Sequence, residues 1–222
     1  MTLVLGAICK NGVAVVGDRK ITLLLGTVLK YDDKLFGVIQ NVIFGYAGVE
    51  TMFDIFSHYV VGDVIMKRDD TDNKYTPANL MEKLSSIMKL LKEARSNQSF
   101  DLRVIVARQF PNSNAKSDLA VVDSLGNVKN ISARYVAIGR AEQIGKRIMD
   151  EEWKRGEEIT MEGFAKLAYY TIKKIEKQKL DLTVGGEPMI RYLKNGGEID
   201  KSPSEEEIKM FQSFLDSKIQ ST

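Results

Sequence analysis

Residues 2–9 read TLVLGAIC, an almost unbroken apolar segment, and a second one, VAVVGD at 13–18, follows directly after Asn11-Gly12. Strands that are apolar on successive residues are buried on both faces of a sheet. Asn-Gly supplies the positive-φ pair of a tight type I′ turn, so the segments are expected to form a hairpin turning on Asn11-Gly12, with Leu5 opposite Asp18. Two further strands, near 34–39 and 41–47, complete a β-meander that ends at Gly48. Met52, Phe53, Ile55, Phe56, Tyr59 and Val60 then recur at helical spacing. After the polar stretch 67–74, Thr76 and Pro77 offer an N-cap and an N1 proline to a second helix with Leu80, Leu84, Ile87, Met88 and Leu91 on one face.

Strand patterns return at 102–108, at 118–123 with a turn at 125–127, and at 135–139, followed by helices at about 141–154 and 161–177. A strand pair is expected at 188–193 and 198–199, around Asn195-Gly196-Gly197. Ser202-Pro203-Ser204-Glu205 reads as a capping box opening a last helix, with Ile208, Phe211, Phe214, Leu215 and Ile219 on one side. This order is not the strict alternation of a parallel α/β fold. It predicts an α+β chain of two antiparallel sheets with helices outside both, and without a repeat or linker, residues 1–222 are expected to form a single domain.

Several function classes lack their parts. Thirty-two Lys+Arg balance thirty Asp+Glu to a net +2 with the signs interspersed, which is not the basic footprint of a nucleic-acid or membrane-surface binder. No apolar run approaches the ~18 to 20 residues of a membrane span, and no export signal opens the chain. The expectation is a soluble cytoplasmic protein. One cysteine, Cys9, and one histidine, His58, leave no disulfide and no clustered metal ligands. Cys9 falls within a buried strand and His58 within an aromatic helical segment, so neither is expected to act as nucleophile or base. Gly185-Gly186 and Gly196-Gly197 read as turn glycines outside any phosphate cradle. No cofactor is called for.

What remains is Thr2 behind Met1, whose ordinary removal a small second residue permits. A freed Thr2 carries hydroxyl and base together: the hydroxyl attacks a carbonyl while the α-amine, with a pKa of about 7.7 to 8.0, accepts the proton. On the dipeptide alone the signal is weak. Three more features lie at fixed distances: Gly17-Asp18-Arg19-Lys20-Ile21-Thr22, Lys34-Leu35-Phe36 and Tyr46-Ala47-Gly48. Asp18, Lys34 and Gly48 stand 16, 32 and 46 residues after Thr2.

With these spacings the chain resembles the β-type subunits of the proteasome and their relatives among the N-terminal-nucleophile (Ntn) hydrolases. The likeness continues through LRVIVAR, DLAVVDSLGNV, Tyr135-Val136-Ala137-Ile138-Gly139 and Asp181 before Gly185-Gly186. The resemblance implies a four-layer αββα sandwich and a threonine-type enzyme that cleaves peptide bonds through an ester on Thr2. It further implies Lys34 as the cation that lowers the hydroxyl pKa, Asp18 as its charged partner, the Gly48 N–H as oxyanion donor, and Asp181 near the amine. Lys20, Thr22 and Arg140 would meet the peptide or protein substrate. Two serines expected around the amine are replaced, by Arg140 followed by Ala141, and by Val184. Arg140 is either a surface residue or a selector of acidic substrates.

An archaeal connectase-like protein ligase using the same ester is an alternative, although those ligases add a C-terminal domain. A catalytically inactive ring subunit or scaffold is another. By analogy a homo-oligomer or ring is open to such a chain, although ligase-type relatives need not form one. Residues 67–74 would lie where ring neighbours touch, and their charge favours a solvent-exposed surface, so the expectation leans to a monomer or small oligomer. One geometric demand follows from the hairpin: a two-residue turn puts Asp18 on the face opposite Thr2, so a twist or bulge is expected near Gly17.

Overall fold

The computed structural model describes residues 2–22, 28–37, 41–66, 77–94, 101–109, 117–153, 157–195 and 202–220. In chain order these form β1 (Leu3–Cys9), β2 (Gly12–Gly17), β3 (Lys20–Thr22), β4 (Val28–Tyr31), β5 (Leu35–Phe36), β6 (Val42–Gly48), α1 (Glu50–Met66), α2 (Pro77–Ala94), β7 (Leu102–Gln109), β8 (Ser117–Val122), β9 (Val128–Asn130), β10 (Tyr135–Gly139), α3 (Glu142–Glu152), α4 (Met161–Lys177), β11 (Met189–Lys194) and α5 (Glu205–Gln220). All pairings are antiparallel. One sheet has the order β10-β1-β2-β11, a second β5-β6-β7-β8-β9, and β3-β4 is a separate ribbon. The chain is therefore α+β with antiparallel sheets.

Burial on both faces explains why β1 and β2 are apolar throughout. Leu3, Leu5 and Val16 pack with Ile148, Trp153, Phe164, Tyr169 and Phe211 of the α3, α4 and α5 side. Val4, Val13 and Val15 meet Ile43, Ile105 and Leu119 of the second sheet. The far face of that sheet, with Phe44, Val104 and Val106, packs on Phe56, Leu84 and Met88 from α1 and α2. Each fully buried Leu, Val or Phe contributes roughly 1.5–3 kcal/mol, so Leu3, Val4 and Leu5 hold the beginning of β1 firmly. No helix among the described residues is long and apolar enough to cross a membrane.

Four sequence expectations need correction. The β1–β2 turn has Lys10-Asn11 at its centre, because Cys9 faces Gly12 and Leu5 faces Val16; Asn11 instead uses its side-chain oxygen to accept the Met161 N–H at 2.8 Å. No bulge interrupts the ladder, which is regular to Val4↔Gly17 and ends there. The last helix is capped two residues later than expected: Ser204 Oγ accepts the Glu207 N–H at 3.2 Å while Glu207 Oε2 accepts the Ser204 N–H at 2.8 Å, a capping box that leaves Pro203 outside the helix. The ribbon β3-β4 was not anticipated, and of the strand expected near 34–39 the described residues 34–37 contain β5, Leu35–Phe36. The expected N-cap Thr76, the segment 67–74 and the strand at 198–199 lie outside the described residues.

Candidate active site

Thr2 lies at the N-terminal edge of β1, between the ends of β10 and β2. On the β2 side the chain leaves the ladder after Gly17. The Asp18 N–H still donates to the Leu3 carbonyl at 3.1 Å, but the Leu3 N–H goes to Asp18 Oδ1 at 2.9 Å. In a continuing ladder the Asp18 carbonyl would take that bond. The carboxylate has replaced it and therefore lies in the line of the sheet's hydrogen bonds, at its end, not on either face. This resolves the parity conflict without a bulge and brings Asp18 Oδ1 to Thr2 Oγ1, which donates to it.

Lys34 arrives from the turn between β4 and β5. Its backbone is fixed by the Tyr46 N–H donating to its carbonyl at 3.1 Å. Its Nζ donates to Lys20 O at 2.7 Å, to Asp18 Oδ1 at 2.8 Å and to Thr2 Oγ1. Three acceptors match the three protons of an ammonium. Burial is nearly complete: Thr2 is 2% exposed, Asp18 0% and Lys34 2%.

A buried ion pair is tolerable only when its remaining hydrogen-bonding capacity is filled. Asp18 Oδ2 accepts the N–H groups of Lys20 and Gly185, each at 3.2 Å. Burial holds the Lys34 pKa below its usual value, opposed by the charge and hydrogen bond of Asp18 and by the charge of Glu50. The Thr2 hydroxyl thus gives a hydrogen bond to an anion and receives one from a cation, and of the two it is the lysine contact that can stabilise an alkoxide on Oγ1.

Gly48 ends β6 with φ +143°, and a Cβ there would stand 2.1 Å from the Asp101 carbonyl. Only glycine fits this backbone, two residues beyond the Tyr46 that anchors Lys34. Lys20 enters the cluster through its main chain, not its side chain. Thr22, at a register shift in β3, has a buried Oγ1 without a hydrogen-bond partner among the described residues. Asp181 is not in this cluster. Its Oδ1 accepts Thr183 N–H at 2.8 Å and Thr183 Oγ1 at 2.5 Å, and its Oδ2 is 3.8 Å from Arg140 Nε. Arg140 and Asp181 are thus brought to each other, on the other flank of Thr2.

Two contributors escaped the sequence reading. Gly139, at φ +115°, lies so close to Thr2 that a Cβ would be 1.9 Å from the Thr2 carbonyl oxygen. Gly185, read as a plain turn glycine, supplies one of the N–H groups on Asp18, and its neighbour Gly186 is clamped from α4 by Glu176 Oε1 at 2.8 Å. A glycine ending a strand beside Thr2 was the available signal for the first. For the second there was none, because a backbone donor leaves no mark on side-chain identity.

Elsewhere, burial pushes the Cys9 thiol up to about 12, which leaves it unreactive, and His58 is exposed with Nδ1 2.7 Å from its own helix's Asp54 carbonyl. A cavity of about 580 Å³ opens at the opposite end of β1, lined by Ile8, Arg134, Trp153 and Ile159 among others.

Paired antiparallel sheets carrying helices, with a threonine, a lysine and an aspartate joined at the first strand's edge, are the arrangement expected of an N-terminal-nucleophile hydrolase, and a family match supports that class. The family model described as the proteasome subunit matches residues 2–183, and the chain belongs to that family. No curated protein matches it in sequence.

Proposed function

We propose that this chain is a threonine-type peptidase, a single domain with the four-layer αββα arrangement, whose nucleophile is Thr2 once the residue before it is removed. The observation that carries this reading is the direct contact of Thr2 Oγ1 with both Lys34 Nζ and Asp18 Oδ1. In the proposed cycle the freed α-amine accepts the hydroxyl proton as Oγ1 attacks the peptide carbonyl carbon. The Lys34 charge lowers the cost of the alkoxide, and Asp18 keeps Lys34 charged and aimed. The Gly48 N–H receives the developing oxyanion, a contribution of about 2.7–4 kcal/mol for such donors.

The carbon–nitrogen bond then breaks, the amine's proton passes to the leaving nitrogen, and the acyl group remains as an ester on Oγ1 until water releases it. Lys20 and Thr22 are proposed to border the acyl portion of the peptide, and Asp181 to hold the far rim. As in the family, assembly into a homo-oligomeric ring would shelter the site from folded proteins. The cytoplasm is the proposed location.

A protein processed to begin at Thr2 is expected to gain the mass of a peptide acyl group on that residue, and Thr2→Ala is expected to gain none. Intact mass retaining Met1 in the native host would favour the inactive-subunit reading. A second reading, ligation as in connectases, is favoured by one observation: the half-exposed Arg140 occupies the flank where the family carries a serine. Two tagged peptides separate the two, since joined product means transfer to an amine and fragments alone mean hydrolysis.

A further inference from the structure

The sheet order places two different charged groups on the two flanks of Thr2: Asp18 with Lys34 beyond β2, and Arg140 with Asp181 beyond β10. Leu3 faces Gly139 in the β1–β10 ladder, so continuing that register by one residue sets Arg140 opposite Thr2. The near-contact of Gly139 with the Thr2 carbonyl fixes this approach.

Arg140 is tethered but accessible. Its side chain is 54% exposed, against 11% for Asp181, and the two are joined at 3.8 Å through Nε. Asp181 is itself immobilised by two bonds from Thr183, and the next carboxylate along the chain, Glu142, is held by Arg103 at 2.7 Å and Lys146 at 2.5 Å. Leu180 and Leu182 flank Asp181 and are exposed, at 39% and 56%. The rim therefore offers a tethered, accessible guanidinium whose carboxylate partner has an exposed leucine on either side in sequence, and a guanidinium matches a carboxylate in two-pronged geometry.

We infer that Arg140 reads a carboxylate on the amine-bearing segment of the reaction, the one that leaves or enters across Thr2 from the acyl group. This rests on the reading of Thr2 as nucleophile and of Lys20, Thr22 and Gly48 as the acyl side, which leaves the β10 flank to the amine side. In the transfer direction, the amine nitrogen of an incoming segment attacks the ester carbonyl. The new C–N bond forms as the C–Oγ1 bond breaks, and the proton lost by nitrogen goes to Thr2 Oγ1. A free carboxylate on that segment meets Arg140 while its nitrogen reaches the ester.

The experiment uses full-length protein processed to begin at Thr2, a panel of tripeptide aminomethylcoumarin amides as acyl donors, and diglycine or diglycinamide as competing amine acceptors. Aminolysis products are quantified by mass spectrometry for the wild type, Arg140→Gln and Arg140→Lys, each checked for folding by circular dichroism. The diglycine-to-diglycinamide product ratio is expected to fall about two- to fivefold in Arg140→Gln, the range of an exposed ion pair, and to be partly kept in Arg140→Lys. A ratio unchanged by Arg140→Gln overturns the inference while leaving the nucleophile intact. Failure of every donor to acylate Thr2 overturns the underlying reading, and the inference with it.

Discussion

The two ion pairs beside Thr2 are built on opposite principles. Lys34 and Asp18 are sealed from water, and the lysine's Nζ has three acceptors while the carboxylate takes three backbone N–H groups besides its partners. Arg140 and Asp181 meet at 3.8 Å with the arginine half in solvent. The first pair is part of the sheet's edge, and neither member can be removed alone without leaving a buried charge. The second is adjustable, since exposed pairs contribute only about 0.2–1 kcal/mol. The proposed reactive centre and the proposed surface that reads a partner would place these two demands on charge, and the two pairs lie on either side of Thr2.

The largest effect is expected at the sealed pair. Lys34→Ala should destabilise the fold by about 3–5 kcal/mol, because Asp18 is left buried without its cation, and should abolish acylation of Thr2; urea unfolding and intact mass measure the two. A loss below about 1 kcal/mol would erase the contrast with Arg140. Next comes Gly139→Ala, whose Cβ would collide with the Thr2 carbonyl at a left-handed backbone position. It is expected to cost about 1–3 kcal/mol and to displace Thr2, visible as slowed acylation at unchanged peptide affinity.

The pairs also differ in how they respond to pH. The folded-state pKa of Lys34 lies below its ordinary 10.5. Between the lowered value and 10.5 the unfolded chain binds more protons than the folded one, so this residue makes stability rise with pH in that window, and below it the whole penalty is present. Measured by urea unfolding, the wild type should therefore gain on Lys34→Met/Asp18→Asn as pH is raised towards about 10.5. Arg140→Gln should leave this slope in place, since Arg140 pairs with Asp181 on the other flank of Thr2. The smallest effect belongs to Arg140→Ala, expected to shift unfolding by no more than about 1 kcal/mol.

How much of this was legible in the sequence differs between the two flanks. The spacing of Asp18, Lys34 and Gly48 from Thr2 singled out three positions. The structure joins Asp18 and Lys34 to Thr2 by hydrogen bonds and sets Gly48 on the strand that anchors Lys34. Counting alternation along β2 correctly located the difficulty at Asp18, yet parity states which face a residue takes only while the ladder lasts, and this ladder stops at Gly17. A bulge was the expectation because it is the familiar way to change faces; ending the strand is another.

Asn11-Gly12 and Ser202 misled for a related reason. Each is a good local signal with an equally good competitor nearby, and the Asn11 bond to Met161 and the Ser204–Glu207 reciprocity decided between them. The β3-β4 ribbon was hidden by strands of three and four residues. The main-chain groups of Leu3, Lys20 and Gly185 do much of the holding, and residue identity does not encode them. Arg140 stood out as a departure, but its partner Asp181 could be found only in three dimensions.

On the proposed reading of Thr2 as nucleophile, the place of the Asp18 carboxylate in a rung of the β1–β2 ladder makes assembly and arming a single event. A nascent or damaged chain whose first two strands have parted holds neither the lysine nor the aspartate against Thr2, and is chemically quiet. In the proposed mechanism reactivity would switch on only when the sheet zips to its last rung, and misfolded copies would pose no hazard to the polypeptides around them.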